Sequence, residues 1–415
     1  MFVPFLVDDI ADPTGDRLAD RLGLGVLTRI VPRDLVDEVV EQTGRRQQRV
    51  RLLPARMIVY YVLALTLFYG DAYEEVMRKL VNGLRFLHLW RNEWSVPTTG
   101  AISKARERLG PEPLEELYFR VARPLAGPGT IGAWHRDLRV MALDGVVLDV
   151  PDTPQNDHRF GRKAHRGGVS AFPQLRMVGL AECGTHAIVA ATFDSWQVYE
   201  RELARGLLTR LEPDMLVLAD RGFFGYEFWN EAAGTGAALL WRVNSLLRLP
   251  VLQELPDGSY LSELLPKQMK TDLHRGKRRN VPDGARVPVR VIEYTIENRT
   301  SPETIRLVTT LVDDHRHPAT ELAALYAQRW EFELGLDEIE THQIAHDRVL
   351  RSRRPDLVEQ ELWALLITHC AIRHLMHEAA DDLEIDEDRL SFIRTLRVVR
   401  RSVANDPEFP PCPGP

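Results

Sequence analysis

At 415 residues, 44% hydrophobic and 27% charged, the chain is long enough for two or three domains with filled cores and ordinary for a soluble globular protein. A formal net charge of -7 excludes the global basicity that advertises a nucleic-acid partner and leaves only local basic surfaces for that role. The longest apolar run, Met57 to Tyr69, is too short to span a bilayer, and the apolar-then-acidic N-terminus lacks the basic start of a signal peptide; no membrane partner is expected. Cys183, Cys370 and Cys412 are odd in number and far apart, which fits neither a disulfide framework nor a zinc site. A cytoplasmic protein is the simplest expectation.

Residues 1–130 read as a helical domain. Pro32-Arg33-Asp34 opens a first helix, residues 55 to 69 form one that is apolar nearly all round, and Asp71 starts another that ends near Asn82-Gly83. Thr98 and Thr99 cap a helix ending at Gly110 that carries Lys104, Arg106 and Arg108. With the basic loop Arg45, Arg46, Arg49, Arg51 and Arg56, it could contact DNA; the plain alternative is a solvated surface.

From residue 131 the texture changes to strands. Residues 131–243 predict a strand from Arg139 to Asp144, a polar loop from Asp152 to Gly168, and a hairpin of strands turned at Cys183-Gly184-Thr185. A helix from Glu200 follows, then the buried strand Met215 to Asp220, a helix from Tyr226, and a strand from Ala237 to Val243. This order predicts an α/β fold, a mixed sheet flanked by helices. Residues 244–304 read as a β-rich insertion with the basic run Arg275 to Arg279. Residues 305–380 return to the core, and 381–415 form a helical tail with Arg394, Arg397, Arg400 and Arg401.

The segment from Leu325 to Glu340 carries the chemistry. On an ideal helix, Tyr326, Arg329, Glu333, Asp337 and Glu340 share one stripe, and Leu325, Phe332, Leu336 and Ile339 form an apolar stripe beside it. Asp144 and Asp220 each end an apolar strand before a turn, where α/β sheets gather ligands. If Glu333 joins them, three carboxylates repel unless a cation neutralises them, and hard oxygen donors suit Mg²⁺ or Mn²⁺. Two such ions support phosphoryl transfer, with Arg329 placed to hold a phosphate. Taken singly, each acid has an ordinary explanation as a turn or surface residue.

The spacing Tyr326-x2-Arg329-x3-Glu333-x6-Glu340 resembles the Tyr-Arg-Glu-Lys signature of bacterial DDE transposases of the insertion-element-four family. Ala142-Leu143-Asp144-Gly145 with Asp152-Thr153-Pro154-x-Asn156, and Leu218-Ala219-Asp220-Arg221-Gly222-Phe223, resemble the family's two Asp regions. Val349-Leu350-Arg351-Ser352 resembles the segment after the Glu helix, and the first hundred residues are similar to the family's N-terminal domain. The resemblance implies a ribonuclease H-like catalytic domain interrupted by the β-rich insertion. It puts Asp144, Asp220 and Glu333 on the catalytic, metal-binding triad, with two Mg²⁺ or Mn²⁺ ions, and Tyr326 and Arg329 on DNA-contacting positions. It implies metal-dependent cleavage of mobile-element terminal repeats and strand transfer into target DNA, by a homodimer in the synaptic complex, associated with the nucleoid when DNA is bound. Two positions depart from the pattern: Glu340 stands where the family has Lys, and Val146 where Thr is usual. The alternatives are a catalytically inactive DNA-binding descendant and a ribonuclease H-like nuclease that cuts without joining.

Overall fold

The computed structural model describes residues 24–47, 53–85, 96–165, 168–266, 285–296, 303–344 and 349–405. Contacts divide the chain into two compact units, one of residues 1–121, 338–376 and 391–415, the other of residues 122–337 and 377–390. The sequence assigns 305–380 to the core and 381–415 to a tail; contacts instead group 338–376 with the N-terminal helices. The reason is the long helix Pro355–Asp382, in which every residue from Gln360 to Arg373 is buried. Its Trp363 ring lies 5.1 Å from that of Tyr118, and its Thr368 hydroxyl is 3.0 Å from Thr66.

The first unit is built around the helix Ala55–Leu67, in which every residue but Arg56 is buried. A segment without a polar face has no side to offer to water, so other helices cover it all round. Its two tyrosine hydroxyls reach the carbonyls of Val31 and Tyr73, each at 3.0 Å, so no buried donor is stranded. The helix Thr99–Leu109 starts on Thr98, whose hydroxyl accepts from the Ala101 N–H, and stops at Gly110 with φ 72°.

The expected basic face of that helix is different in kind. Arg106 has no exposure at all. It donates to Gln360 Oε1 at 3.2 Å, the Tyr73 hydroxyl at 3.0 Å, Ser352 Oγ at 3.2 Å and the Leu357 carbonyl at 3.0 Å. Its planar fork therefore ties two helices together and is unavailable to phosphate. Arg106→Met is expected to destabilise the protein by about 3 kcal/mol, because buried acceptors lose their donor. Arg106→Lys will not restore it, since one ammonium cannot span the four acceptors. Chemical denaturation followed by circular dichroism reads both.

Other candidate phosphate contacts have partners within the chain, several of them in exposed ion pairs. Arg45 pairs with Glu112 at 2.7 Å, Arg46 with Glu41 at 3.0 Å, Arg56 with Asp37, and Arg354 with Glu107 at 3.2 Å. Arg351 donates to the Tyr69 and Asp71 carbonyls at 2.7 Å, and Arg400 to the Leu67 carbonyl. Arg49, Arg51, Arg348 and the run Arg275 to Arg279 lie outside the described residues, as does Cys412.

The second unit holds the sheet. In chain order its strands are β1 (Trp134–His135), β2 (Leu138–Asp149), then the small separate pair β3 (Ala164–His165) and β4 (Gly168–Val169). There follow β5 (Gln174–Glu182), β6 (Ile188–Ser195), β7 (Met215–Ala219) and β8 (Ala238–Arg242). The last four are β9 (Gln253–Glu254), β10 (Tyr260–Leu264), β11 (Val287–Ile296) and β12 (Glu303–Thr309). The order β6-β5-β2-β7-β8 has β5 antiparallel to β2 and β6, while β7 and β8 run parallel to β2. That is the ribonuclease H-like arrangement, a mixed sheet flanked by helices as the strand and helix order predicts. β12 then pairs antiparallel with β8, and β11, β10 and β9 continue the same sheet. All five residues of β7 are buried, as a strand covered on both faces requires. On one face Met141, Leu143, Val178, Leu180 and Val217 pack with Leu203, Phe228, Trp229 and Trp241.

Three local readings change. β2 does not end at Asp144 but continues to Asp149, because its second half pairs with Gln174–Val178 of β5. The polar loop after it contains the helix Pro154–Phe160, capped by Thr153 and led by a proline, a start signal hidden by the helix's shortness. Residues 325–340 are not one ideal helix. They pass from the end of Ala319–Leu325 through a 3₁₀ turn, Tyr326–Arg329, into the α-helix Trp330–Asp337 and then the π-helical segment Glu338–Gln343. Winding changes along the way, and the charged stripe holds only from Tyr326 to Glu333: Tyr326 and Arg329 are buried, Glu333 and Asp337 exposed, and Glu340 half-buried. Phe332, Leu336 and Ile339 of the apolar set are buried as expected, and Leu325 is half-buried.

Candidate active site

The two aspartates stand at one place in the sheet for a simple reason. The parallel ladder of β2 with β7 runs from Arg139↔Met215 to Leu143↔Ala219. The next residues on the two strands are Asp144 and Asp220, side by side where the ladder stops. On its other side Asp144 faces Gly179 of β5. The Gly145 N–H donates to Asp144 Oδ1 at 2.8 Å.

The segment bearing Glu333 is tied to the same spot. Tyr326, only 8% exposed, donates its hydroxyl to the Ala219 carbonyl at 3.3 Å, one residue before Asp220. Burial raises its phenol pKa. In this form Tyr326 anchors the end of β7 rather than facing solvent. Arg329 is likewise buried and donates to Asp144 Oδ2. Its two terminal nitrogens lie 3.3 and 3.4 Å from Glu333 Oε1, and its guanidinium sits 4.9 Å from the exposed Trp330 ring. Glu333 itself is exposed.

The charges explain one another. The Asp144 carboxyl is pushed from its ordinary value up to about 6, first by burial and then by Glu333 and Asp220, against the pull of Arg329. Burial works to lower the Arg329 pKa, but Asp144 and the neighbouring acids outweigh it and the net shift is upward. A desolvated carboxylate among carboxylates requires a cation, and here a guanidinium supplies it.

Contacts that hold this geometry escape the sequence. Phe332 is fully buried, and a Cβ added at Gly179 would lie 2.8 Å from its Cε2. Glycine lets the ring lie on the strand directly across from Asp144. In the hairpin turn the Gly184 N–H donates to Glu331, the Cys183 thiol lies 3.6 Å from the Gln328 carbonyl, and His186 Nε2 lies 3.7 Å from Glu331. Glu200 reaches the glycines beside both aspartates: a Cβ at Gly145 would meet its carboxyl carbon at 3.4 Å, and one at Gly222 its Oε2 at 3.5 Å. Periodicity marks Phe332 as apolar and Cys183-Gly184 as a turn, but nothing local ties any of these residues to the site, since each contact joins distant parts of the chain.

The donor set of Asp144, Asp220 and Glu333 is all hard oxygen, and Arg329 is a stand-in for the positive charge the set demands, so the residues fit a divalent cation chemically. Among the described residues, no three His, Cys, Asp or Glu side chains are gathered closely enough to hold a metal ion.

Comparison with known proteins decides the family. Residues 21–119 match the family "Insertion element 4 transposase N-terminal", and residues 135–371, more than half the chain, match "Transposase DDE domain". The chain belongs to the DDE transposases of the insertion-element-four family. Relatives of this transposase include "Transposase InsG for insertion sequence element IS4" of Escherichia coli K12, 29% identical over 379 residues, covering 89% of this chain and 80% of that protein. Another is "Putative transposase InsZ" of the same strain, 22% identical over 224 residues, covering 53% of this chain and 71% of that protein. Among solved structures, a piggyBac transposase synaptic complex with hairpin DNA matches with TM-score 0.48 and 11% identity, covering 95% of this chain and 80% of that one.

The transposase is thus an enzyme of DNA cleavage and strand transfer, from a family that binds DNA and normally uses divalent metal ions. The two departures in its sequence fall at describable places. Val146 sits in β2 two residues beyond Asp144, and Glu340 in the π-helical segment, half-buried.

Proposed function

We propose that this transposase cuts DNA at the terminal repeats of a mobile element and joins the freed ends to target DNA, with Asp144, Asp220 and Glu333 holding two Mg²⁺ or Mn²⁺ ions. The observation that carries this is the Arg329 guanidinium clamped between Asp144 and Glu333. A cation is already required where the two Asp-bearing strands meet. Bound divalent ions supply an activated oxygen nucleophile and stabilise charge on the leaving oxygen. The chain's own residues do the rest. Tyr326 holds the end of β7 and so the position of Asp220, Phe332 on Gly179 sets the height of the Glu333 helix, and Arg329 binds the phosphate beside the cut bidentately. End recognition falls to the N-terminal helical residues 1–130, and a homodimer holds two ends. No described helix is long and apolar enough to cross a membrane; the enzyme acts in the cytoplasm, at the nucleoid when bound to DNA.

The test is a strand-transfer assay with purified protein, Mg²⁺, and a duplex carrying the inverted repeats that flank the gene. Cut ends with a free 3′-OH, followed by joined products, are expected. Cut ends that never join would make the protein a metal nuclease instead, and binding without cutting would make it an inactive descendant.

Glu340 motivates the second of those outcomes, because a carboxylate repels phosphate where the family's Lys attracts it. A unit charge at contact distance in water is worth about 1 kcal/mol. Glu340→Lys is therefore expected to tighten DNA binding by roughly fivefold to tenfold at low salt and to steepen the salt dependence by about one phosphate contact. Fluorescence anisotropy across a salt series reads both. Unchanged affinity and slope would mean that residue 340 does not face DNA.

A further inference from the structure

Arg329 is the one cation contacting both Asp144 and Glu333 among the described residues. Its pose is compelled by charge more than by hydrogen bonding. Two terminal nitrogens serve the carboxylates, while Nε is buried with no partner, a donor wasted in a residue built to use all five. The same guanidinium lies against the indole of Trp330, which is 58% exposed, so a face outside the carboxylate pair is already within its reach. Among the described residues these carboxylates are not gathered into a metal-holding group, and the guanidinium stands between two of them.

We propose that Arg329 is the resident counter-ion of the carboxylate site, that divalent-cation loading displaces it, and that the displaced guanidinium becomes available to DNA phosphate. The inference rests on the assignment of Asp144, Asp220 and Glu333 made above. One planar fork cannot bind a carboxylate pair and a phosphate at once, so metal loading and DNA binding are coupled through it. A divalent ion draws twice the Coulomb energy of a guanidinium at equal distance and displaces it; a phosphate then holds the guanidinium away. Coupling of this kind is reciprocal, so DNA raises metal affinity by the same factor as metal raises DNA affinity. The site is thereby kept electrically quiet, and short of bound metal, until both partners are present.

The experiment measures Mn²⁺ binding to the full-length protein by titration calorimetry, without DNA, for the wild type, Asp144→Asn and Arg329→Gln. Weaker binding by Asp144→Asn supports the site assignment, and unchanged binding overturns that assignment. Given weaker binding there, Arg329→Gln is expected to bind Mn²⁺ about tenfold more tightly than wild type, within the usual range of coupling between sites. Equal or weaker binding by Arg329→Gln overturns the exchange and leaves the site assignment standing. Should Arg329→Gln fail to fold, the wild type carries the test. A short duplex should tighten its Mn²⁺ affinity several-fold, after subtraction of the same titration with Asp144→Asn to remove ions held by the DNA itself. No tightening overturns the proposal.

Discussion

Asp144→Asn is expected to lower DNA cleavage in Mg²⁺ by at least about 10³-fold, a loss of roughly 4 kcal/mol of transition-state stabilisation. The substitution keeps the side chain's shape and one acceptor for Arg329, and removes the charge that a divalent ion needs. Asp220→Asn and Glu333→Gln should fall in the same range, since groups acting as a unit give losses that do not add. Binding of end DNA, measured without divalent metal, should stay within about threefold of wild type, because the triad carries like charge to phosphate and contributes no attraction of its own. Single-turnover cleavage on a labelled duplex, with anisotropy for binding, separates the two. If Glu333→Gln keeps cleavage within tenfold of wild type, the third ligand lies elsewhere, and Glu200, which lies beside Gly145 and Gly222, becomes the group to replace next.

Gly179→Ala carries the second large effect, at a residue with no chemistry. A Cβ there would stand 2.8 Å from Phe332 Cε2 and 3.3 Å from Ile188 Cγ2, closer than carbon atoms pack. The ring must lift, and with it the helix Trp330–Asp337 that carries Glu333. Overpacking of this kind costs about 1–3 kcal/mol of stability. Its larger consequence is positional, because a shift of about 1 Å at a reacting group costs on the order of 10²-fold in rate. Gly179→Ala should therefore lose roughly that much in kcat while its circular dichroism and DNA affinity stay close to wild type. Phe332→Leu, made on top of it, should recover much of the loss by giving the methyl room, and the double-mutant cycle measures the coupling. Failure of the second substitution to recover any activity would place the damage elsewhere in β5.

What the sequence discloses follows from how local each signal is. β7 is legible because five consecutive apolar residues bounded by Pro213-Asp214 and Asp220 leave no other economical reading. The helix Ala55–Leu67 is legible for the same reason. Asp144 is found through its motif but misplaced at a strand end, because Gly145 looks like a turn and only the ladder with β5 carries β2 onward. Arg106 and Arg351 read as surface charges, since nothing local tells a solvated arginine from one whose acceptors lie in a distant segment. The Tyr326 to Glu340 stripe holds as far as Glu333, which Arg329 meets, and fails beyond it for a different reason. A helical wheel assumes constant winding, and this segment changes from 3₁₀ to α to π within the span the wheel was drawn on. Burial of Tyr326 and Arg329 is a tertiary fact, set by the end of β7 and by Asp144.

The strands of the β-rich stretch between Asp220 and Glu333 continue the catalytic sheet. β12 is hydrogen-bonded to β8 on one edge and to β11 on the other. A trimmed enzyme lacking residues 244–304 would therefore not be a smaller catalytic core but a sheet with a raw edge at β12, its backbone donors and acceptors free to recruit another chain. The stretch doubles as the sheet's border, so any change in its length across a lineage must leave the β11–β12 seam intact, and loops such as the one between β9 and β10 are where length can vary without opening it.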